Sequence, residues 1–328
     1  MNEKPKIGVV GVGMVGKELA RYFLAEGWKR GRDLFLYDKD EKKGFSDDVK
    51  KAGIIFISVP TPPKKDGLCD TSIVEGVVKE LHSPTRILVI KSTLEPGTAA
   101  RLQKKYKSPI LFNPEFLTES RAWEDFIRPD KQIVGPTQKS AAFAGTVLNL
   151  LPQAYFASPG TLGTYSFVRV NSSEAELGKY ASNVFGAIKV AYGNVLADFA
   201  KALEIVHKRE GVKLPVNYEN IRKMVAHDRR IGDAWMNVYH GNYRGFGGYC
   251  FPKDFNAFMA FGKKLASGLN KKKDKELKIL VKSGLGVLQA IWDYNESLLK
   301  SQGLSVELVS SHEANVKALL EKKWKKRK

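Results

Sequence analysis

The stretch GFGGYCFPKD at residues 245–254 concentrates side chains that can do chemistry. Cys250 follows clustered glycines, which leave a thiol accessible to a substrate. A helix N-terminus at this point would favour the thiolate form. Lys253 and Asp254 add a cation and a candidate base within one helical turn. By chemistry alone a lone cysteine is more often structural, so a nucleophilic and a structural interpretation both stay open.

A glycine fingerprint near the start of the chain predicts a nucleotide site. Gly11, Gly13 and Gly16 have the spacing G-x-G-x-x-G between an apolar run and an amphipathic helical pattern. This spacing lets the backbone approach a pyrophosphate at a helix N-terminus. Asp38 ends the next apolar run, where a carboxylate accepts hydrogen bonds from ribose hydroxyls and repels a 2′-phosphate. We therefore predict NAD rather than NADP, although two lysines, Lys39 and Lys42, weaken that preference.

The elements that position these residues alternate between β-rich runs and helical patterns over the first 150 residues. Strands are predicted at residues 6–11, 34–38, 54–59, 87–91, 110–113 and 132–135, and helices at residues 15–26, 72–81 and 97–104. Alternation of this kind is typical of βαβ units. The predicted fold class is α/β, with a Rossmann-like, doubly wound parallel sheet whose ligands bind beyond the carboxyl ends of the strands.

The second half of the chain is predicted to be helical. Ser173 and Glu176 form a predicted capping box. Uninterrupted periodicity to about Glu210 predicts one helix on the order of 55 Å long. Further helices are predicted at residues 218–224, 253–265, 277–302 and 311–323. We therefore expect an NAD-binding domain at residues 1–165. An all-helical central domain should follow at residues 166–328, with a basic C-terminal tail and a homodimer contact through the long helix.

The composition limits the classes of binding partner and the cell compartment that we expect. The formal net charge of +19 includes lysine-rich clusters at residues 271–273 and 322–328. Such runs are usually solvated, and no nucleic-acid motif accompanies them, so the charge better suits a phosphate-bearing cofactor and substrate. No apolar run reaches the roughly 18 residues of a membrane span, and the start lacks a signal-peptide pattern. Two cysteines fit a reducing compartment. We expect a cytoplasmic protein without a membrane or nucleic-acid partner.

Motifs in a fixed order resemble the UDP-glucose/GDP-mannose dehydrogenase family. They are the glycine fingerprint, VPTP at 59–62, KST at 91–93, NPEFLTE at 113–119, RPD at 128–130, EAE at 174–176, KYASN at 179–183, DRRIG at 228–232 and GFGGYCFPKD at 245–254. The resemblance covers roughly residues 5 to 300. It implies NAD-dependent, four-electron oxidation of the C6 alcohol of a nucleotide sugar to a carboxylate, with UDP-glucose as the first candidate substrate.

The resemblance also implies catalytic roles. Cys250 would capture the aldehyde as a thiohemiacetal, which a second hydride transfer converts to a thioester. Lys179 and Asn183, spaced i, i+4, would stabilise the developing oxyanions. Asp254 would position or deprotonate water, and Glu115 would assist thioester hydrolysis. The other catalytic candidate is Thr93, which would contact this region.

The remaining candidates bind ligands. For the cofactor they are Gly11, Gly13, Met14, Val15, Asp38, Val59, Thr61, Thr93 and Lys253. For the substrate they are Phe116, Leu117, Glu119, Lys179, Asn183, Arg230, Phe246 and Gly247. The five histidines are scattered without metal-ligand spacing, so no metal is expected. Cys69 is interpreted as a non-catalytic residue.

Several features depart from the family. Its full-length members continue with a third domain that binds the nucleotide diphosphate, and we expect this sequence of 328 residues to lack it. We therefore expect a separate chain or the basic C-terminal half to hold the diphosphate, or a changed substrate. The spacing from Arg230 to Cys250 is about four residues longer than usual, and Val195 stands where the family usually has Glu. Two alternatives stay open: a single-step dehydrogenase of the 6-phosphogluconate/3-hydroxyacid type, and a non-catalytic, basic NAD-fold binding protein.

Overall fold

The computed structural model describes residues 4–154, 164–165, 170–311, 315–318 and 320–321. It contains two compact units, Met1–Lys179 and Tyr180–Lys328. The boundary between them falls inside the long helix α6 (Ser172–Arg209). The predicted domain boundary at residues 165 and 166 adjoins residues outside the described part, and it stays a prediction.

Unit 1 is built on a six-stranded sheet. Its parallel strands are β1 (Ile7–Val10), β2 (Leu34–Tyr37), β3 (Ile54–Ile57), β4 (Ile87–Ile90) and β5 (Ile110–Phe112), in the order β2-β1-β3-β4-β5. The edge strand β7 (Gly135–Pro136) pairs antiparallel with β5. A separate pair is formed by β6 (Gln132–Ile133) and β8 (Thr164–Tyr165). The doubly wound sheet is confirmed, but the sixth predicted strand divides in two, and its second half runs antiparallel.

The strands form because each is a short, continuous run of β-branched and other apolar residues. All four residues of β1, β3 and β4 are buried, as expected of parallel strands covered on both faces. Alternate side chains belong to two apolar clusters, with Val9 in one and Val10 in the other. The helices of this unit are α1 (Met14–Ala25), α2 (Ser72–Leu81), α3 (Thr98–Tyr106), α4 (Ala122–Ile127) and α5 (Ala144–Asn149).

This topology brings the candidate residues of unit 1 to one edge. Gly11, Asp38, Val59, Thr93 and Glu115 each lie within three residues after the end of a parallel strand. The carboxyl ends of parallel strands meet at the same edge of a sheet. The strand order also reverses between β1 and β3, which is where open α/β sheets bind ligands.

Among its described residues, unit 2 contains the rest of α6 and the helices α7 (Tyr218–Ala226), α8 (Phe251–Gly268), α9 (Lys275–Ser301) and α10 (Val306–Val309), and residues 315–318 and 320–321 are also helical. Its core includes Phe246 stacked on Phe255 at 5.6 Å between ring centroids, with Trp292 within 6 Å of both rings. The long helix and the helices around residues 218, 253 and 277 are confirmed within a few residues. The helix predicted at 311–323 lies partly outside the described residues, and α10 was not predicted.

The start of α6 corrects the predicted capping box. Asn171 Oδ1 accepts a hydrogen bond from the N–H of Glu174 at 3.1 Å, and Glu174 Oε2 accepts one from the N–H of Asn171 at 2.7 Å. The reciprocal cap is therefore formed by Asn171 and Glu174, two residues before the predicted pair. Glu176 faces inward instead, and it is fully buried. Within the described part of the chain, no helix is long and apolar enough to cross a membrane.

Candidate active site

The glycine loop after β1 leaves room for a ligand at the start of α1. Gly11 has a φ of 87°, and a side chain there would lie 2.7 Å from the carbonyl oxygen of Ser58. Gly13 is the N-cap residue of α1, and no atom lies within 4 Å of the position that its Cβ would occupy. Met14 and Val15 form the first turn. The loop therefore offers an open helix N-terminus of the kind that holds a pyrophosphate.

Asp38 is tied to this loop. Its Oδ2 accepts hydrogen bonds from the Val12 N–H at 2.7 Å and from Lys43 Nζ at 2.9 Å, and its Oδ1 accepts one from the Asp40 N–H at 2.9 Å. Burial opposes ionisation of Asp38, but these hydrogen bonds outweigh it and lower its pKa. The carboxylate is thus held in the charged form beside the fingerprint glycines. The sequence analysis missed Lys43, although it lies only five residues after Asp38.

The loops after β3 and β4 are joined to each other. Ser92 Oγ donates a hydrogen bond to the carbonyl oxygen of Val59 at 2.7 Å. Thr61 is buried and Thr93 is half-buried. These side chains therefore lie on two loops that are hydrogen-bonded to each other at the carboxyl ends of the parallel strands.

A buried ion pair lies beyond β5. Lys179 Nζ donates a hydrogen bond to the carbonyl oxygen of Glu115 at 2.5 Å and lies 3.4 Å from Glu115 Oε1. Only 4% of the Lys179 side chain and 12% of the Glu115 side chain are exposed. Glu115 Oε2 also accepts the Leu117 N–H at 2.8 Å, and the Phe116 ring lies 5.0 Å from Lys179 Nζ. The structure therefore brings together the four candidates Glu115, Phe116, Leu117 and Lys179.

Two further lysines accompany this pair, and the sequence analysis gave them no role. Lys91 Nζ donates to Asn113 Oδ1 at 2.6 Å, and Lys131 Nζ lies 4.0 Å from the Phe116 ring centroid. Burial lowers the pKa of Lys91 to about 8, an effect that Lys179 adds to and Glu115 opposes. Burial, together with Lys179, also lowers the pKa of Lys131. Lys91 and Lys179 near the Glu115 carboxylate, with Lys131 beside Phe116, create a positive field suited to an anionic or oxyanionic group.

Cys250 lies at the beginning of α8 in unit 2. It is the N-cap residue of this 18-residue helix, is half-buried, and precedes a proline in the first turn. Its carbonyl oxygen accepts the Asp254 N–H at 2.9 Å, which closes the first turn. The positive end of the helix dipole favours a thiolate at this position. Cys69, the other cysteine, is buried in unit 1.

Lys253 and Asp254, which follow Cys250 in the sequence, form a polar group with Asn183 of α6 inside unit 2. Asp254 is 1% exposed, and its Oδ2 accepts a hydrogen bond from Asn183 Nδ2 at 2.6 Å. Its Oδ1 lies 2.5 Å from Lys253 Nζ. Because both carboxylate oxygens are engaged, Asp254 fixes the orientation of the Asn183 amide and of the Lys253 ammonium. These contacts favour the positioning role over the deprotonation of water.

Other substrate candidates have structural explanations. Phe246 is fully buried in the core, and its N–H and C=O pair with the Asn295 side chain at 2.8 and 3.1 Å. A side chain at Gly247 would lie 2.8 Å from Val309 Cγ2, so packing already requires glycine there. Arg230 is exposed and pairs with Asp228 at 2.6 Å. Glu119 is half-buried at the start of a single 3₁₀ turn, Glu119–Arg121.

Among the described residues, no three or more His, Cys, Asp or Glu side chains are placed to hold an ion.

Two family models match the chain. Residues 41–150 match the NAD binding domain of the UDP-glucose/GDP-mannose dehydrogenase family, and residues 173–271 match the central domain of the same family. Together they cover most of both units.

Individual relatives agree with the family models. A UDP-glucose 6-dehydrogenase of Pseudomonas aeruginosa is 32% identical over 228 residues, which cover 65% of this chain and 45% of that protein. The enzyme of the same name from Rhizobium meliloti is 28% identical, covering 77% and 62%. The structure of a UDP-glucose dehydrogenase from Pyrobaculum islandicum aligns with a TM-score of 0.66 and 26% identity, over 92% of this chain and 71% of that one. The chain thus spans 45 to 62% of the length of these two curated relatives.

Proposed function

The chain belongs to the UDP-glucose/GDP-mannose dehydrogenase family, and from that premise we propose that it oxidises the C6 alcohol of a nucleotide sugar to a carboxylate with NAD. UDP-glucose is the first candidate substrate, because the Pseudomonas aeruginosa, Rhizobium meliloti and Pyrobaculum islandicum relatives are named for it. The observation that carries the proposal is the position of Cys250 at the N-terminus of α8, just before Lys253 and Asp254, whose carboxylate is hydrogen-bonded to Asn183. The cytoplasmic location expected from the sequence stays a prediction.

NAD fits the N-terminal domain. The open helix N-terminus at Gly13 suits a pyrophosphate, and the ionised Asp38 suits ribose hydroxyls. Lys43, which neutralises Asp38 in part, would contact the same adenosine end. When bound, NAD supplies the hydride acceptor for each of two oxidations. Lys253 is engaged with Asp254, so we leave it out of the cofactor contacts.

A covalent bond to Cys250 would retain the aldehyde intermediate during the four-electron oxidation. Loss of a hydride and a proton from the alcohol gives an aldehyde, which would escape unless it were held. The Cys250 thiolate adds to the aldehyde carbon, and the aldehyde oxygen takes up a proton such as the one that the first oxidation released, which forms a thiohemiacetal. Loss of a second hydride, with the hydroxyl proton, gives a thioester. Water then attacks the thioester carbon, expels the thiolate and leaves the carboxylate.

The polar side chains stabilise charge along this path. The Lys179 ammonium and the Asn183 amide donate hydrogen bonds to the oxygen that becomes negative. Asp254 holds the Asn183 amide so that its N–H does not have to reorganise. Glu115 is a carboxylate positioned by Lys179 and by the Leu117 N–H, and it accepts the proton of the attacking water. Thr93, on the loop after β4, contacts the reacting end of the substrate.

We also propose that the protein is a homodimer through α6. Phe185, Tyr192, Phe199 and Val206 follow one another at seven-residue spacing on this helix, and 43 to 69% of each side chain is exposed. An apolar seam with this period is the pattern that packs against another helix. A second copy of α6 would cover it in an isologous contact.

The test is turnover with a panel of UDP- and GDP-sugars, followed as NADH absorbance. The proposal expects one sugar, with UDP-glucose first, to be oxidised to its uronate. Two rivals predict other results. A single-step dehydrogenase would turn over a small hydroxyacid instead, and a non-catalytic binding protein would turn over none of these compounds.

A further inference from the structure

Contrary to the expectation from the sequence of no membrane partner, we propose that the α8–α9 hairpin docks the protein onto an anionic lipid surface, with one side of α9 immersed among the lipids. The hairpin comprises the end of α8, the turn at residues 269–274 and the first half of α9. The match to the family's central domain ends at residue 271, so α9 lies beyond it. The proposal does not depend on the catalytic function.

The first observation is an apolar ridge on α9. Leu277, Leu280 and Val287 are 54, 68 and 62% exposed. Their spacings of three and seven residues place them on one side of the helix. The neighbouring side, with Leu285 and Leu288, packs against the core that includes Trp292. The ridge is therefore not required for the fold of the hairpin, and it costs free energy in water.

The second observation is the positive charge around the ridge. Exposed lysines occupy the end of α8, the turn and the start of α9, at positions Lys263, Lys264, Lys271, Lys272, Lys273, Lys275 and Lys282. The segment from 263 to 282 contains only two acidic residues, Asp274 and Glu276. Asn270 Oδ1 accepts hydrogen bonds from the N–H groups of Lys272 and Lys273 at 2.9 and 3.1 Å, which gives the turn a fixed shape. The tip of the hairpin is thus a preformed cluster of cations.

The positions of the apolar ridge and of the lysines on α9 indicate a lipid surface as the partner. Lys275, Lys278 and Lys282 lie three and four residues apart, on the side of α9 opposite the ridge. Ile279, which is 55% exposed, lies between this side and the ridge, and Lys278 Nζ donates a hydrogen bond to the Leu269 carbonyl oxygen at 3.0 Å. An apolar side with Leu and a polar side with Lys is the pattern of helices that lie in the plane of a membrane surface. Each lysine near an anionic surface strengthens binding by roughly fivefold. Charge and apolar contact therefore act in the same direction.

Other occupants fit less well. A stable protein interface buries about 800 Å² on each partner, which is more than a ridge of three side chains offers. A second copy would also bring two clusters of lysines toward each other. Nucleic acid would satisfy the lysines but would leave the leucines without a role. A convex ridge suits a soft lipid layer, which needs no complementary groove.

The experiment measures sedimentation of the full chain with vesicles. The probes are vesicles of phosphatidylcholine alone and of phosphatidylcholine mixed with phosphatidylglycerol. We expect at least tenfold stronger partitioning into the anionic vesicles, and we expect it to weaken as salt rises, because the Debye length shortens. The double variant Leu277→Ser/Leu280→Ser and the triple variant Lys271→Gln/Lys272→Gln/Lys273→Gln should each lose most of this binding.

Matched controls distinguish binding through the hairpin from nonspecific electrostatic and hydrophobic binding to vesicles. Met224→Ser removes an apolar side chain that is 72% exposed on α7, and Lys79→Gln/Lys104→Gln/Lys223→Gln removes three exposed lysines elsewhere. Both controls should bind the anionic vesicles within twofold of the unmodified protein, and all variants should melt at similar temperatures.

Equal binding to neutral vesicles, or retained binding in the hairpin variants, would overturn the proposal. Loss of self-association in Leu277→Ser/Leu280→Ser without any vesicle binding would assign the ridge to a second copy. Binding of single-stranded RNA that needs only the lysines, without vesicle binding, would assign the cluster to nucleic acid.

Discussion

At the scale of single residues, the proposed mechanism depends on a thiol at a helix N-terminus, Cys250, and on the polar side chains to which charge-stabilising roles are assigned. Cys250 is half-buried at the N-cap of α8, whereas Cys69 is 3% exposed in the core of unit 1. The two cysteines thus offer a comparison between the thiol proposed as the nucleophile and a thiol that is buried in unit 1.

Cys250→Ser should reduce carboxylate production below about a tenth of the unmodified rate, because a hydroxyl is a much weaker nucleophile than a thiolate near neutral pH. A tenfold loss corresponds to roughly 1.4 kcal/mol of activation free energy. NAD affinity, measured by titration, should not change. Cys69→Ala is the matched control and should keep its turnover. A Cys250→Ser protein that retained its full rate would rule out the covalent mechanism.

Asp38→Ala should change the preference between the two dinucleotides. The substitution removes the acceptor for the ribose hydroxyls and releases Lys43, which lies 2.9 Å from Asp38 Oδ2. NAD should therefore bind more weakly, and NADP should bind more tightly because the freed ammonium can meet the 2′-phosphate. Calorimetric titration with both dinucleotides checks this. Lys43→Ala in the Asp38→Ala background should cancel the gain for NADP, and an unchanged preference would show that Asp38 does not contact the ribose.

The sequence predicted some of these residues and missed others for a physical reason. Asp38 and Cys250 belong to motifs in which residue type and spacing carry the chemistry. Lys91 and Lys131 acquire their lowered pKa only by burial near Lys179, which lies far away in sequence. Phe246 belongs to the same motif as Cys250 and was predicted to bind the substrate, but its side chain is buried in the core. A motif does not show which of its side chains face inward.

At the scale of elements, Glu176 joins two helices of unit 1. Its Oε2 and Oε1 accept the N–H groups of Gly97 and Ala99 at 2.5 and 2.8 Å, at the beginning of α3. Burial raises the pKa of Glu176 to about 7, although these hydrogen bonds and Arg101 oppose the rise. Lys179 follows one turn later on α6, so the docking of Glu176 also sets the position of the Lys179 ammonium.

The raised pKa of Glu176 makes a prediction about pH and stability. Between pH 4.5 and about 7 the folded protein holds a proton that the unfolded chain has lost, so stability falls as pH rises through this window. Glu176→Gln removes this titration. The free energy of unfolding of the unmodified protein should therefore decline relative to the variant by up to about 3 kcal/mol across the window. Denaturant titrations at several pH values measure the difference, and a difference that is flat with pH would contradict the assignment.

Long helices were predictable from the sequence, and short helices were not. The periodicity of α6 extends over ten turns, so its bounds were predicted within two residues. Each of α4 and α5 has six residues, less than two turns, and no period can be recognised over that length. The cap of α6 was placed two residues late because Asn171 and Ser173 are both good N-cap residues, and only the burial of Glu176 decides between them.

At the scale of the whole molecule, the proposed dimer explains the long, exposed apolar seam of α6. Phe185→Glu/Phe199→Glu should give a monomer of 36.6 kDa, because burying two pairs of carboxylates in an apolar contact is costly. Light scattering after size exclusion would measure the mass. Leu214→Glu, at a site that is 67% exposed outside α6, is the control and should leave the dimer intact. A monomeric unmodified protein would contradict this prediction.

The stoichiometry of the reaction tests the central claim most directly. The purified chain is incubated with excess NAD and a limiting amount of the nucleotide sugar that it turns over, and NADH and uronate are both quantified. The account predicts two NADH for each sugar consumed and one uronate for each two NADH, with no free aldehyde. One NADH for each sugar, with the aldehyde as the product, would contradict the account, because the thioester on Cys250 would then not form.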